Sequence, residues 1–198
     1  EGWIYPPYME EKCPGLPGYE ALYKCAQAFA TAETFPKGRL ITYPADWGTR
    51  SRDIVSSIKL PFQAVAGGSE GAMIAELESA YATKSPMIMM MWQPHWIFAA
   101  KDYNWVEWNP IEGECVEEDQ KKGSACGFQQ ASVHKVAWSG FEEKWPAAFK
   151  MLTKLQLTNK DENWAILEID NSGRDVDDVV TEWLGANESK WTSWTAVQ

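Results

Sequence analysis

Histidine is nearly absent: only His95 and His134 occur in 198 residues, so mixed cysteine–histidine metal ligation has little to draw on. The four cysteines fall as Cys13/Cys25 and Cys115/Cys126. Neither pair has the usual zinc-ligand spacing of about two to four residues. No apolar run approaches the roughly 18 residues that span a bilayer. Positive charge is short as well. Lys and Arg number 18 against 28 Asp and Glu, and the net charge of −10 argues against nucleic acid and anionic membranes as partners. A Walker phosphate loop is missing, and so are internal repeats and low-complexity stretches. No signal peptide is legible, and the chain opens inside an expected strand; the expectation is a mature protein or a fragment of one.

What is present is a globular composition, 45% apolar and 23% charged, with enough length for one large domain or two small lobes. Two disulfides, Cys13–Cys25 and Cys115–Cys126, fit the local cysteine pairing and imply an oxidising compartment. Tryptophan is in surplus at twelve residues, which suits ring packing in cores and recognition by stacking or cation–π contact.

The stretch Met87–Trp96 (MIMMMWQPHW) organises the chain. An apolar run ending at Gln93–Pro94 suits a strand buried on both faces of a parallel sheet. A buried helix is the alternative, but the run is short and bracketed by Pro86 and Pro94. Strands are also expected at Gly2–Tyr8, Arg39–Tyr43, Phe62–Ala66 and Ser132–Ala137. Helices are expected at Tyr19–Ala30, Thr49–Ile58, Ala72–Thr83, Trp96–Ala100, Phe141–Leu155 (kinked or restarted at Pro146) and Asp175–Leu184. Asn187–Gln198 reads as a Trp-bearing tail. Strands alternating with helices predict an α/β fold with a mainly parallel sheet.

Two chemistries compete. Gly67-Gly68-Ser69-Glu70-Gly71 satisfies G-x-S-x-G between a strand and a helix, and with Asp102 or Asp119 and His134 it offers a secreted serine esterase. No oxyanion segment of the HGG type precedes it, and Ser69 serves equally well as a helix N-cap. Paired carboxylates such as Glu117–Glu118 and Asp177–Asp178 read as solvated faces. The aromatic reading explains more. Trp47 lies in a strand-to-helix turn and Trp92 at the end of another strand; in a parallel sheet both ends face one edge, where such sheets bind ligands. Facing rings attract a methylated ammonium, and the Gly48 and Thr49 N–H groups at the next helix form an anion site. Arg50 is placed to reinforce the negative end. Trp92 as plain core and Arg50 as a solvated first-turn residue are the simpler alternatives.

The segments GRLITYPADWG, GGSEGAMIAELESAYATKSPMIMMMWQPHWIFA, HKVAWSGFEEKWPAAFKMLTKLQL and the opening GWIYPPYMEEKCPGLPGYEAL resemble the glycine betaine/choline/proline-betaine substrate-binding proteins of ABC importers. The resemblance implies a type II periplasmic-binding fold of two α/β lobes, an extracytoplasmic setting, a membrane permease as partner, and no enzymatic activity, cofactor or metal. It implies ligand contacts at Trp47 and Trp92, backbone carboxylate contacts at Gly48 and Thr49, and a looser match at Trp3. Glycine betaine, choline, carnitine, dimethylsulfoniopropionate and trimethylamine N-oxide all stay open as ligands. Relative to that pattern, a stretch ahead of GWIYPPY is absent. Residues 1–128 then correspond to a nearly complete second lobe and 129–198 to the C-terminal part of the first, the rest being cut away or supplied by a second chain.

Overall fold

A computed structural model of the chain describes residues 1–108, 126–128 and 132–196. Cys115, Glu117, Glu118 and Asp119, and with Cys115 the expected second disulfide, lie outside the described residues. The chain divides into two compact units, Glu1–Trp92 with Asp102–Gln130, and Gln93–Lys101 with Ala131–Gln198.

The first unit is built on β1 (Gly2–Tyr5). A one-turn helix α1 (Met9–Lys12), a short extended piece β2 (Pro14–Pro17) and helix α2 (Leu22–Cys25) follow. Tight 3-10 turns flank α2 at Tyr19–Ala21 and Ala26–Phe29, so the single helix expected over Tyr19–Ala30 is broken into three short pieces. Cys13 and Cys25 are disulfide-bonded, pinning α2 to the end of α1. Then come β3 (Gly38–Thr42), α3 (Arg50–Ser57), β4 (Phe62–Ala66), α4 (Glu70–Thr83) and β5 (Met89–Met91). After α5 (Ile97–Ala100), which belongs to the second unit, β6 (Asn104–Trp105) completes the sheet.

The sheet order is β4-β3-β5-β1-β6. β3 pairs parallel with β4 and with β5, while β1 lies antiparallel to β5 and to β6, so β1 is the strand that runs against the others. Met87 to Met91 are all buried, as a strand in mid-sheet requires. Alternate residues explain both covered faces. Trp3, Tyr5, Leu40, Phe62, Ile88 and Met90 belong to one core cluster. Ile4, Ile41, Met89 and Met91, on the opposite pleat, are buried too. Helix α4 buries the stripe Met73, Ile74, Leu77 and Ala80, the spacing of one helical face.

The second unit is helical where it is described. It holds α5, α6 (Phe141–Lys144), α7 (Pro146–Lys154), α8 (Asn159–Ile166), α9 (Val176–Ala186) and α10 (Glu188–Thr195). A π-helical turn, Leu167–Asn171, extends α8. Pro146 sits in the first turn of α7, where a missing N–H costs nothing, so the Phe141–Leu155 pattern restarts there. Ser132–Ala137 is not a strand. It is exposed along its length, with no neighbouring strand among the described residues to take its backbone hydrogen bonds. Asp161 is the polar centre of the unit. It closes a capping box with Thr158, accepts from Trp183 Nε1–H at 3.1 Å and pairs with Lys190. The His95 N–H donates to Asn163 Oδ1 at 2.8 Å, which fixes α5 against α8. Among the described residues, no helix is long and apolar enough to cross a membrane.

Candidate functional site

Parallel pairing of β3 with β5, Ile41 opposite Met89, brings the C-terminal ends of both strands to one edge of the sheet. Beyond β3 the chain turns at Pro44–Trp47, where the Trp47 N–H donates to Pro44 O at 2.9 Å. Gly48 follows with φ +139°, a conformation that L side chains rarely adopt. The turn and the glycine swing Trp47 back over the sheet edge. Trp92 leaves β5 beside it.

The two indoles meet, their ring centroids 5.8 Å apart in an edge-to-face arrangement. Tyr43 completes the group at 5.7 Å from Trp47 and 5.5 Å from Trp92. Trp47 is half exposed at 50% while Trp92 and Tyr43 are partly buried, so an aromatic surface of the three rings reaches solvent. The Tyr43 hydroxyl donates to Glu1 Oε2 at 3.1 Å, and burial together with that carboxylate pushes its pKa up. Tyr43 therefore stays a neutral ring. Tyr43 is the residue that the sequence reading missed; its place directly before the Pro-Ala-Asp-Trp turn was the available signal.

Helix α3 starts beside these rings. Its N-cap is Thr49, but the Thr49 hydroxyl donates to Asp53 Oδ2 at 2.7 Å and caps no backbone N–H. The Gly48 and Thr49 N–H groups have no acceptor among the described residues. They are free donors at the positive end of a helix. A cavity of about 120 Å³ adjoins them, lined by Tyr43, Trp47, Gly48, Thr49, Arg50 and Ser51 among others. Arg50 reaches in from the first turn and donates from Nη2 to Gly127 O at 2.6 Å.

Trp3 is elsewhere. It is fully buried in the core, edge-on to Trp108 at 5.0 Å, and its indole N–H donates to Ser51 Oγ at 2.9 Å. That bond ties β1 to the first turn of α3. Ser69 is the N-cap of α4 and accepts the Ala72 N–H at 3.2 Å, so the G-x-S-x-G stretch is a helix start. His134 lies on the exposed Ser132–Ala137 segment. Among the described residues, no cluster of His, Cys, Asp and Glu can hold a metal ion.

Residues 1–186 match the family described as the substrate binding domain of the ABC-type glycine betaine transport system. The chain belongs to this family. It is 28% identical over 198 residues to the trimethylamine N-oxide-binding protein of Pelagibacter ubique, covering 96% of this chain and 62% of that protein. Against the glycine betaine/proline betaine-binding periplasmic protein of Salmonella typhimurium, identity is 28% over 141 residues, covering 66% of this chain and 43% of that one. Family members are binding components of transport systems, and the esterase alternative finds no support among them. The fold is that of the lactococcal glycine betaine-binding domain solved closed with glycine betaine: TM-score 0.58 at 20% identity, over 98% of this chain and 66% of that one. A choline-binding protein solved with choline has a TM-score of 0.55 at 18% identity, over 100% of this chain and 64% of that structure. This chain thus spans about two thirds of the length of each structure and 62% of the Pelagibacter relative.

Proposed function

We propose that this chain captures glycine betaine, or a related quaternary ammonium or methylated zwitterion, for an ABC importer. The observation that carries the reading is the group of three rings, 5.5–5.8 Å apart, beside the unsatisfied Gly48 and Thr49 N–H groups. In this reading Trp47, Trp92 and Tyr43 face the cation, and the two backbone donors receive the ligand's negative end. The rings touch one another, so the ligand's methyl groups lie against their outer faces. Trp3 serves the site through Ser51, holding the first turn of α3 in place.

The partner is the importer's membrane permease, and the setting is extracytoplasmic. The Cys13–Cys25 disulfide and the periplasmic Salmonella relative support that setting. Apart from Gln93–Lys101, which fall in the second unit, residues 1–128 act as one lobe of the binding protein and 129–198 as the C-terminal part of the other. Support for the second assignment comes from Val133, Val136, Trp138, Trp145 and Met151, all exposed in a unit that buries little. Sequence corresponding to the remaining third of the relatives, preceding this chain or on a second one, would cover them.

Calorimetric titration with glycine betaine, choline, carnitine, dimethylsulfoniopropionate and trimethylamine N-oxide tests the reading, with Trp fluorescence as a second signal. Saturable binding of at least one is expected in a form carrying both lobes. Heat-silent, fluorescence-silent titrations with all five would overturn it.

A further inference from the structure

Arg50 carries a feature that the aromatic group and the backbone donors leave unexplained. Its Nη2 is used by Gly127 O at 2.6 Å, but Nη1 is closed off from solvent and has no acceptor among the described residues. Buried guanidinium N–H groups are ordinarily matched, because an unmatched one has lost its water and gained nothing. The neighbouring carboxylates do not supply the match. Asp53 accepts from the Thr49 hydroxyl at 2.7 Å, and Glu1 from the Tyr43 hydroxyl at 3.1 Å. Burial pushes the Arg50 pKa down, with Asp53 and Glu1 opposing, yet a guanidinium stays protonated throughout the physiological range. Arg50 lines the same cavity as Tyr43, Trp47, Gly48 and Thr49. A cation with an unmatched nitrogen therefore belongs to the same cavity lining as the residues whose N–H groups are free.

We propose that Arg50 is a specificity-determining residue, selecting ligands with an anionic oxygen, a carboxylate foremost, over cations that lack one. The inference rests on the aromatic site of the preceding section and adds which end of the ligand decides selection. Holding Gly127 needs one guanidinium nitrogen. The second is left for an acceptor brought by the ligand, and charge-assisted bonds of this kind are the strong ones. A ligand with a hydroxyl in place of the carboxylate can still lie on the rings, but it offers Arg50 no charge.

The test compares glycine betaine with choline by calorimetry on the two-lobe protein, wild type against Arg50→Gln. Glycine betaine is expected to weaken about 30-fold, the equivalent of about 2 kcal/mol, and choline by less than about threefold. Equal losses for both ligands would overturn the proposal and make Arg50 a tether for Gly127 only. An unchanged betaine affinity would overturn it too. Should Arg50→Gln fail to fold by circular dichroism, Arg50→Lys carries the comparison. It keeps the charge but carries its donors on a single nitrogen in place of the guanidinium fork, and a smaller loss still confined to betaine is expected. Wild-type protein that binds neither ligand would remove the aromatic-site reading itself, a result distinct from loss of discrimination between the two.

Discussion

Trp92 and Trp47 owe their position to the same device, a strand that ends at the sheet edge, but they differ in how much each ring shows. The half-exposed Trp47 offers a face to solvent, and Trp92 leans on it from the side at 5.8 Å. A desolvated cation–π contact is worth about 2 kcal/mol and a tenfold affinity change about 1.4 kcal/mol. Trp92→Ala is therefore expected to weaken a trimethylammonium ligand by about tenfold or more, and Trp92→Phe by less, since a phenyl face keeps part of the attraction. Equal calorimetric affinities for wild type and Trp92→Ala would reduce that ring to packing. Tyr43→Phe should bind the cation nearly as wild type does, because it keeps the ring and loses only the bond to Glu1. In the second unit, the Asp161 carboxyl is shifted by its neighbours. Burial pushes its carboxyl up, but Lys190, Thr158 and Trp183 outweigh this and hold it well below the usual carboxylate range. A depressed folded pKa contributes stability that is fully present above the unfolded value of about 4. That stability is lost as pH falls through the folded value. Helicity of this unit should decline in acid below about pH 4, and Asp161→Asn should flatten that limb of the far-UV titration. An acid limb unchanged in Asp161→Asn would assign it to other carboxylates.

Elements decide what the site residues are free to do. Helix α3 starts without a side-chain cap: its N-cap Thr49 donates its hydroxyl to Asp53 and accepts no backbone N–H. Helix α4 is capped conventionally by Ser69. Ser69→Ala should cost about 1 kcal/mol in chemical denaturation. It should leave ligand affinity unchanged, since the hydroxyl only accepts a helix N–H. A large affinity loss would return a functional role to that serine. The disulfide between Cys13 and Cys25 closes a loop with a sequence separation of 12. Its removal by a Cys13→Ala/Cys25→Ala pair should cost about 3 kcal/mol in the chain-entropy account. Non-reducing mass mapping that found Cys13 and Cys25 as free thiols would contradict the bond itself.

At the scale of the molecule, the two units are stabilised very differently. The first has a five-stranded sheet with both faces covered, whereas in the second, helices α6 and α7 bury no residue at all. Local opening free energy follows buried contact, so the units should separate in hydrogen exchange. Amides of Met89–Met91 should be strongly protected and those of Phe141–Lys154 nearly free in the chain as it stands. Adding sequence equivalent to the remaining third of the family's length should slow exchange in Phe141–Lys154. If that segment is already protected in isolation, the proposed lobe assignment loses its support.

Burial and its period are local properties, and they were legible. The run Met87–Met91 is buried throughout, the α4 stripe at Met73, Leu77 and Ala80 faces inward, and β4 spans Phe62–Ala66 as expected. Because parallel strands end on one edge, the meeting of Trp47 and Trp92 could also be read in advance. The Thr158/Asp161 capping box is likewise local, a helix-start signal at Thr158 that marks the beginning of α8. The remainder depended on partners distant in sequence. Only strand pairing set β1 antiparallel to β5, with Trp3 opposite Met90, and so drew Trp3 into the core against Ser51. Only tertiary packing brought Tyr43 within 5.5 Å of Trp92 and left one nitrogen of Arg50 unmatched among the described residues. Ser132–Ala137 marks the boundary between the two kinds of information. Its composition favours a strand, but a strand exists only where a neighbour accepts its hydrogen bonds, and which neighbour stands there is a property of the assembled chain.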